Sequence, residues 1–266
     1  MARAVGLSMS SPTREPTPYP YVNEVLHALL MNVQAILGER FGGLYLYGSL
    51  ASGGFNPRRS DIDFMVMTEG RLPEATITKL EQMHTKLWAS GGKWAGKLEG
   101  AYVPRELLRR VEPNGPEVPQ INEGKFFLAP LGSDWVIQVH ILREYSAPVV
   151  GPSLRELIEP VSPEALRGAV VKVLDEWWAP MLANHHWLER SEYQAYAVLT
   201  MCRALYTLQE GKFVSKTEAA GWARGALDER WRRLIDWADG WPEEQSNRLE
   251  EVLELVRYTL GVSRAI

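Results

Sequence analysis

Apolar side chains recur along the first half of the chain with two different periods. Over residues 21–40 they fall at Val22, Val25, Leu26, Leu29, Val33, Ile36 and Leu37. Offsets of three, four and seven predict an amphipathic helix, with Pro20 as its entry. The run Leu44-Tyr45-Leu46-Tyr47 has no charge and closes on Gly48-Ser49, which predicts a buried strand. A loop from Ala51 to Ser60, holding Gly53, Gly54, Asn56 and Pro57, leads to a second strand from Ile62 to Met67 with Asp63 embedded in it. Residues 73–89 read as a helix with Pro73 at its start, Ile77, Leu80, Met83, Leu87 and Trp88 on one stripe, and Gly91-Gly92 at its end. A third strand fits Leu98 to Val103.

Residues 104–132 are rich in Pro and Gly and show no clean period, so loop with short elements is expected there. Trp135, Gln138, Val139 and Leu142 predict a helix, although the density of Val and Ile leaves a strand open. From about residue 160 onward only helices are expected. Ser162-Pro163 reads as an N-cap followed by an N1 proline. Leu166, Val170, Val173, Leu174 and Trp177 continue one stripe, and Tyr193, Tyr196, Ala197, Thr200, Ala204 and Leu208 make another. Ser215 with Glu218 forms a capping box, and Leu249, Val252, Leu253 and Val256 mark the last helix. The fold class is therefore α+β: a mixed sheet with helices, then an all-helical bundle. The expected division is a flexible tail over 1–19, a first domain over 20–150 and a helical domain over 151–266, with the boundary near Gly151-Pro152.

Composition narrows the function. The 266 residues allow about two domains at roughly 150 residues each. Hydrophobic residues make up 45% and charged residues 23%, which fits a globular chain and excludes a mainly disordered one. A single cysteine, Cys202, excludes an internal disulfide or a cysteine-cluster zinc site and suits a reducing cytoplasm. No apolar run reaches the roughly 18 residues of a membrane span. The stretch Ala4 to Met9, broken by Gly6 and Ser8, is too short for a secretory h-region. A net charge of −4 disfavours bulk nucleic-acid binding.

Three features of the first domain carry chemistry. Gly48-Ser49 lies at a strand exit, where backbone N–H groups and the Ser49 hydroxyl can bind phosphate oxygens, although such a pair is more often a plain turn. Asp61 and Asp63 are two apart on a strand and so share a face. Two adjacent carboxylates entering an apolar strand repel each other, and a hard divalent cation relieves that; the simpler alternative is a solvated strand end. Glu99, on the third strand, can meet them at a sheet edge or stand on an exposed one. Together the three make a layout for metal-assisted phosphoryl transfer, with two magnesium ions about 3.5–4 Å apart bridging carboxylates and a triphosphate.

Leu46-Tyr47-Gly48-Ser49, the glycine-rich loop and Ser60-Asp61-Ile62-Asp63 resemble the signature of the polymerase-beta-type nucleotidyltransferases. Further on, Val150-Gly151-Pro152, Leu157 and Pro160-Val161-Ser162-Pro163 resemble the linker of the streptomycin/spectinomycin (aminoglycoside) adenylyltransferases. So do Leu199-Thr200, Arg203, Tyr206, Gly211-Lys212, Lys216, Ala219-Ala220 and Trp222-Ala223. The resemblance implies that Asp61, Asp63 and Glu99 bind magnesium and that Glu99 is the general base. It implies that Gly48, Ser49 and Ser60 meet the triphosphate of ATP, and that Arg203 and Lys216 close over it. Charge and position suggest Trp187, Glu189 and Glu192 for the acceptor side.

The expected activity is Mg-ATP-dependent adenylylation of a hydroxyl on an aminoglycoside or aminocyclitol antibiotic by a cytoplasmic monomer, with pyrophosphate released. A protein or RNA acceptor, or a non-catalytic nucleotide-binding antitoxin-like module, stays open, though three intact acids argue against the module. His185-His186 cannot readily share one metal, Cys202 is expected to be a buried small hydrophobe, and Arg230 to Arg233 a solvated face.

Overall fold

The computed structural model describes residues 15–58, 60–109, 115–241 and 246–265. Six strands form one mixed sheet: β1 Phe41–Leu46, β2 Ile62–Thr68, β3 Leu98–Pro104, β4 Glu117–Asn122, β5 Lys125–Pro130 and β6 Ala147–Val150. Their order is β5-β4-β3-β2-β1-β6, and β2 with β3 is parallel while the other pairs are antiparallel. The helices of this half are α1 Pro20–Leu37, α2 Gly48–Ser52, α3 Glu74–Ala89, α4 Arg105–Arg109, α5 Trp135–Tyr145 and α6 Leu154–Leu157. A parallel strand pair needs a crossover, and α3 supplies it.

Strand alternation decides which side chains face which layer. Leu44, Leu46, Ile62, Phe64, Val66, Leu98 and Tyr102 pack under α1 and α3 with Leu26, Leu29, Val33 and Leu80. The intervening Tyr45, Met65, Met67 and Val103 pack on the opposite face against Trp135, Val139 and Leu142 of α5. Asp63 and Glu99 fall in the second set by parity, at the ends of their strands. Both acids are therefore aimed to the α5 side of the sheet.

The second half contains α7 Pro163–Val173, a π-helical turn Leu174–Trp178, α8 Ala179–Met181, α9 Ser191–Glu210, α10 Lys216–Ala226, α11 Arg232–Gly240 and α12 Leu249–Ser263. α9 is the central helix, and its Ala197, Val198, Met201, Cys202 and Leu205 are all buried. Trp178, Trp231 and Trp237 fill the core around it, whereas Trp177 is 56% exposed. The caps are built as their residues require: the Ser162 side chain accepts from the Ala165 amide, and Ser215 with Glu218 closes a capping box. Ile141 of α5, Leu166 of α7 and Phe213 form a seam between the halves, and the Tyr145 hydroxyl donates to the Phe213 carbonyl across it, 2.9 Å.

Three expectations need revision, and the helix expected at Trp135 is found. Residues 104–132 contain α4 and the β4–β5 hairpin, not mainly loop. β5 is a largely exposed edge strand and β4 carries Pro119 within it, so neither shows apolar alternation. The hairpin turns at Glu123 (φ 48°) and Gly124 (φ 73°). Residues 110–114 lie outside the described residues. Residues 135–145 are helix, which closes the strand alternative. Residues 147–150 are a sixth strand paired with β1, not only linker. Gly151 follows at φ 130°, where a Cβ would stand 2.5 Å from the Tyr45 hydroxyl; that hydroxyl donates to the Pro152 carbonyl, 2.9 Å. Finally, part of the expected tail is packed. The Thr17 hydroxyl and amide donate to Asn23 Oδ1 at 2.7 and 3.0 Å, and Tyr19 packs on Phe55. The rest of that tail, residues 1–14, lies outside the described residues.

Candidate active site

The parallel register sets Asp63 directly beside Glu99, one inter-strand spacing of about 4.8 Å apart at the backbone. Asp61 stands two residues earlier and is drawn to Lys97, whose ammonium donates to Asp61 Oδ1 at 3.0 Å. Gly48 follows β1 at φ 62° and lies against the Asp63 carboxylate. The neighbouring Ser49 amide donates to Asp63. Ser60 sits on the loop before β2, where its Oγ accepts from the Asn56 amide at 2.9 Å.

Asp63 and Glu99 are enclosed by protein on most sides, yet each keeps part of its surface in water, as groups on the wall of an open cleft do. Burial first, then the Glu99 and Asp61 charges, pushes the Asp63 carboxyl well above its ordinary value; Lys216 and the Ser49 amide oppose this. Burial, followed by Asp61, pushes Glu99 up to about 7, with Glu123 and Asp134 adding to the effect and Lys216 opposing it. The Tyr47 hydroxyl is pushed well up by burial and by Asp63, Glu99 and Asp134. A negative cleft of this kind favours a cation.

Among the described residues, no three His, Cys, Asp or Glu side chains close into a metal cage. Magnesium does not require one: it is commonly held by one or two carboxylates together with substrate phosphates. Asp63 beside Glu99, with Asp61 within reach, is a donor set of that type.

The helical half brings two cations to the same carboxylates. Lys216, the first residue of α10, and Arg203 of α9 both interact electrostatically with Asp63. Burial, then the Arg203 charge, pulls the Lys216 ammonium down to about 7. So the structure gathers Gly48, Ser49, Asp61, Asp63, Glu99, Arg203 and Lys216 around one cleft. Ser60 closes the loop beside it.

The residues expected on the acceptor side are placed differently. Trp187 stacks on Tyr193, ring centroids 4.1 Å apart, and the Tyr193 hydroxyl donates to Glu123 Oε1 at 2.8 Å. Glu189 faces His186 at 3.2 Å, and Glu192 is ion-paired with Arg190. The acids acting most strongly on Glu99 are Asp61, Glu123 and Asp134. Sequence reasoning did not single out Glu123, Asp134 or Lys97. The Glu123-Gly124 turn was the available signal for the first, and Asp134 ahead of the Trp135 stripe for the second.

Two family descriptions match the chain: "Nucleotidyltransferase domain" over residues 30–114 and "Aminoglycoside adenylyltransferase, C-terminal domain" over residues 156–261. An "Aminoglycoside (3'') (9) adenylyltransferase" of Escherichia coli is 30% identical over 244 residues, covering 82% of this chain and 86% of that protein. The chain belongs to the aminoglycoside adenylyltransferase family. It is accordingly a nucleotidyltransferase enzyme. Within the family, a "Spectinomycin 9-adenylyltransferase" of Staphylococcus aureus (strain N315) is 26% identical over 263 residues, covering 89% of this chain and 92% of that one. The crystal structure of spectinomycin adenyltransferase from Enterococcus faecialis, with ATP and spectinomycin, shares the fold: its TM-score is 0.70 at 19% identity, over 91% of this chain and 98% of that one. The segment 115–155 falls between the two family matches, and it carries both Glu123 and Asp134.

Proposed function

We propose that this adenylyltransferase transfers AMP from Mg-ATP to a hydroxyl of an aminoglycoside or aminocyclitol antibiotic and releases pyrophosphate. The observation that carries the reading is the in-register pair Asp63 and Glu99 facing Arg203 and Lys216 across the cleft. Carboxylates on one wall and cations on the other suit a metal-bound triphosphate between them. The names of the relatives point to the antibiotic as acceptor.

Glu99 takes the proton of the attacking hydroxyl. It stands in register with Asp63, where a positioned carboxylate can accept that proton. A new bond forms from the acceptor oxygen to the α-phosphorus, and the bond to the pyrophosphate oxygen breaks. Ser49 and Ser60 offer hydroxyls to the phosphates beside Gly48. Arg203 and Lys216 pair with the phosphate oxygens and draw the helical half toward the sheet. Magnesium, held by Asp61, Asp63 and Glu99 together with phosphate oxygens, supplies charge neutralisation when bound.

On the acceptor side, Trp187 forms an aromatic wall, with Glu189 and Glu192 as the nearby acids that a polycationic drug can draw from His186 and Arg190. The acidic balance of the chain, with no membrane-spanning helix among the described residues, fits a cytoplasmic enzyme of antibiotic resistance acting as a monomer on a small molecule. Mass spectrometry of spectinomycin and streptomycin incubated with the protein and Mg-ATP tests this: a gain of one AMP is expected on at least one of them.

A further inference from the structure

Lys216 and Arg203 are the two cations of the helical half that approach the carboxylates of the sheet. Among the described residues, Lys216 and Arg203 form no ion pair, although both feel the charge of Asp63. Each rests on an aromatic face instead. The Lys216 ammonium sits 3.7 Å from the Tyr196 ring centroid, and the Arg203 guanidinium 4.6 Å from that of Phe213. Tyr196 and Arg203 are seven residues apart on α9, so they share one face of that helix. Phe213 belongs to the buried seam between the halves. Tyr196 lies at the rim of the helical core: it is 41% exposed, and its ring also meets those of Trp178 and Trp187.

An ammonium near three carboxylates in a partly dry cleft is pulled strongly toward them. Paired with Asp63 or Glu99, it would occupy oxygens needed for a metal and would have to be torn away before it could meet phosphate. A ring face attracts a cation by about 0.5–2 kcal/mol without being an anion. It can hold the ammonium in place while the N–H groups stay open to phosphate. Lys216 also opens α10, whose first-turn N–H groups favour an anion in the same place.

We infer that Tyr196 is a positioning residue: its ring holds the Lys216 ammonium off the carboxylates, poised for the polyphosphate of the nucleotide. This rests on the assignment of Lys216 to the triphosphate. Phe213 does the same for Arg203, but its place in the core makes it a poor site for a test.

Calorimetry of Mg-ATP binding to the full chain tests the inference without reference to the acceptor. The set is wild type, Tyr196→Phe, Tyr196→Leu, Lys216→Ala and the Tyr196→Leu/Lys216→Ala double variant, each checked by thermal melt. Tyr196→Phe keeps the ring and should bind within about 2-fold of wild type. Tyr196→Leu should weaken binding roughly 2- to 30-fold, the equivalent of the cation–π range. In the Lys216→Ala background the same substitution should have no further effect, which a merely structural role would not produce. An unchanged affinity in Tyr196→Leu, or a loss of equal size with and without Lys216, overturns the positioning role and leaves Lys216 as a phosphate ligand. Wild-type affinity in Lys216→Ala overturns that assignment, and the positioning role with it.

Discussion

Gly48 and Asp63 are packed so closely that a Cβ on Gly48 would stand 2.0 Å from Asp63 Oδ2. The glycine also adopts φ 62°, a conformation that L side chains avoid. Any side chain here must displace the carboxylate that lies in register with Glu99. Gly48→Ala should therefore keep the fold and lose transfer, by on the order of 10²-fold, the cost of about 1 Å of misplacement at a reacting centre. Thermal melts and initial rates on the same preparation check this. A variant with near wild-type rate would mean that Asp63 can shift freely.

Asp61→Asn with Asp63→Asn should abolish the magnesium-dependent part of ATP affinity. The two acids bring negative charge to the strand end, where the Lys97 ammonium pairs with Asp61 at 3.0 Å. Calorimetry with and without magnesium separates metal-dependent from metal-independent binding. Unchanged magnesium dependence in the double variant would place the metal elsewhere.

Glu99→Gln should stop transfer and largely spare Mg-ATP binding. Glutamine keeps the shape and loses the base, a change that typically costs 10²- to 10⁴-fold in rate, about 3–5 kcal/mol. Single-turnover rates and calorimetry together check it. Near wild-type turnover would reduce Glu99 to a structural acid.

His84 gives the fold an acid limit. It is buried beneath the sheet with its Nε2 2.7 Å from the Tyr102 hydroxyl, and burial holds its pKa down to about 4 from an ordinary 6.5. The folded state thus keeps the ring neutral while the unfolded chain protonates first. Stability is complete above about pH 6.5 and falls as the pH drops toward about 4, by up to about 1.4 kcal/mol per pH unit from this group. Urea melts of wild type and His84→Leu between pH 7 and 4 check it: the wild type should lose more stability across that window. Parallel losses would assign the acid limit to other groups.

Much of the site was legible because its determinants are local. Gly48-Ser49 announces a strand exit, and Asp61 and Asp63 stand out at the start of an otherwise apolar strand. Glu99 lies a crossover away, yet the parallel pairing of β2 with β3 follows from the helix between them. The β4–β5 hairpin was not legible, because an edge strand exposed on both faces carries no alternation and Pro119 hides its partner. Glu123 went unnoticed with it, since its bond to Tyr193 spans 70 residues and leaves no periodic trace. The perch of Lys216 on Tyr196 was equally silent. Both residues were visible as helix positions, but only the packing of α9 on α10 brings the ammonium over the ring.

Transfer of label from α-phosphate-labelled ATP to spectinomycin or streptomycin, with pyrophosphate measured in the same reaction, tests the central claim most directly. One labelled drug molecule per pyrophosphate released is expected from the wild type, and neither product from Glu99→Gln. Label appearing on protein or RNA while both antibiotics stay unmodified, or pyrophosphate release that Glu99→Gln leaves intact, would contradict it.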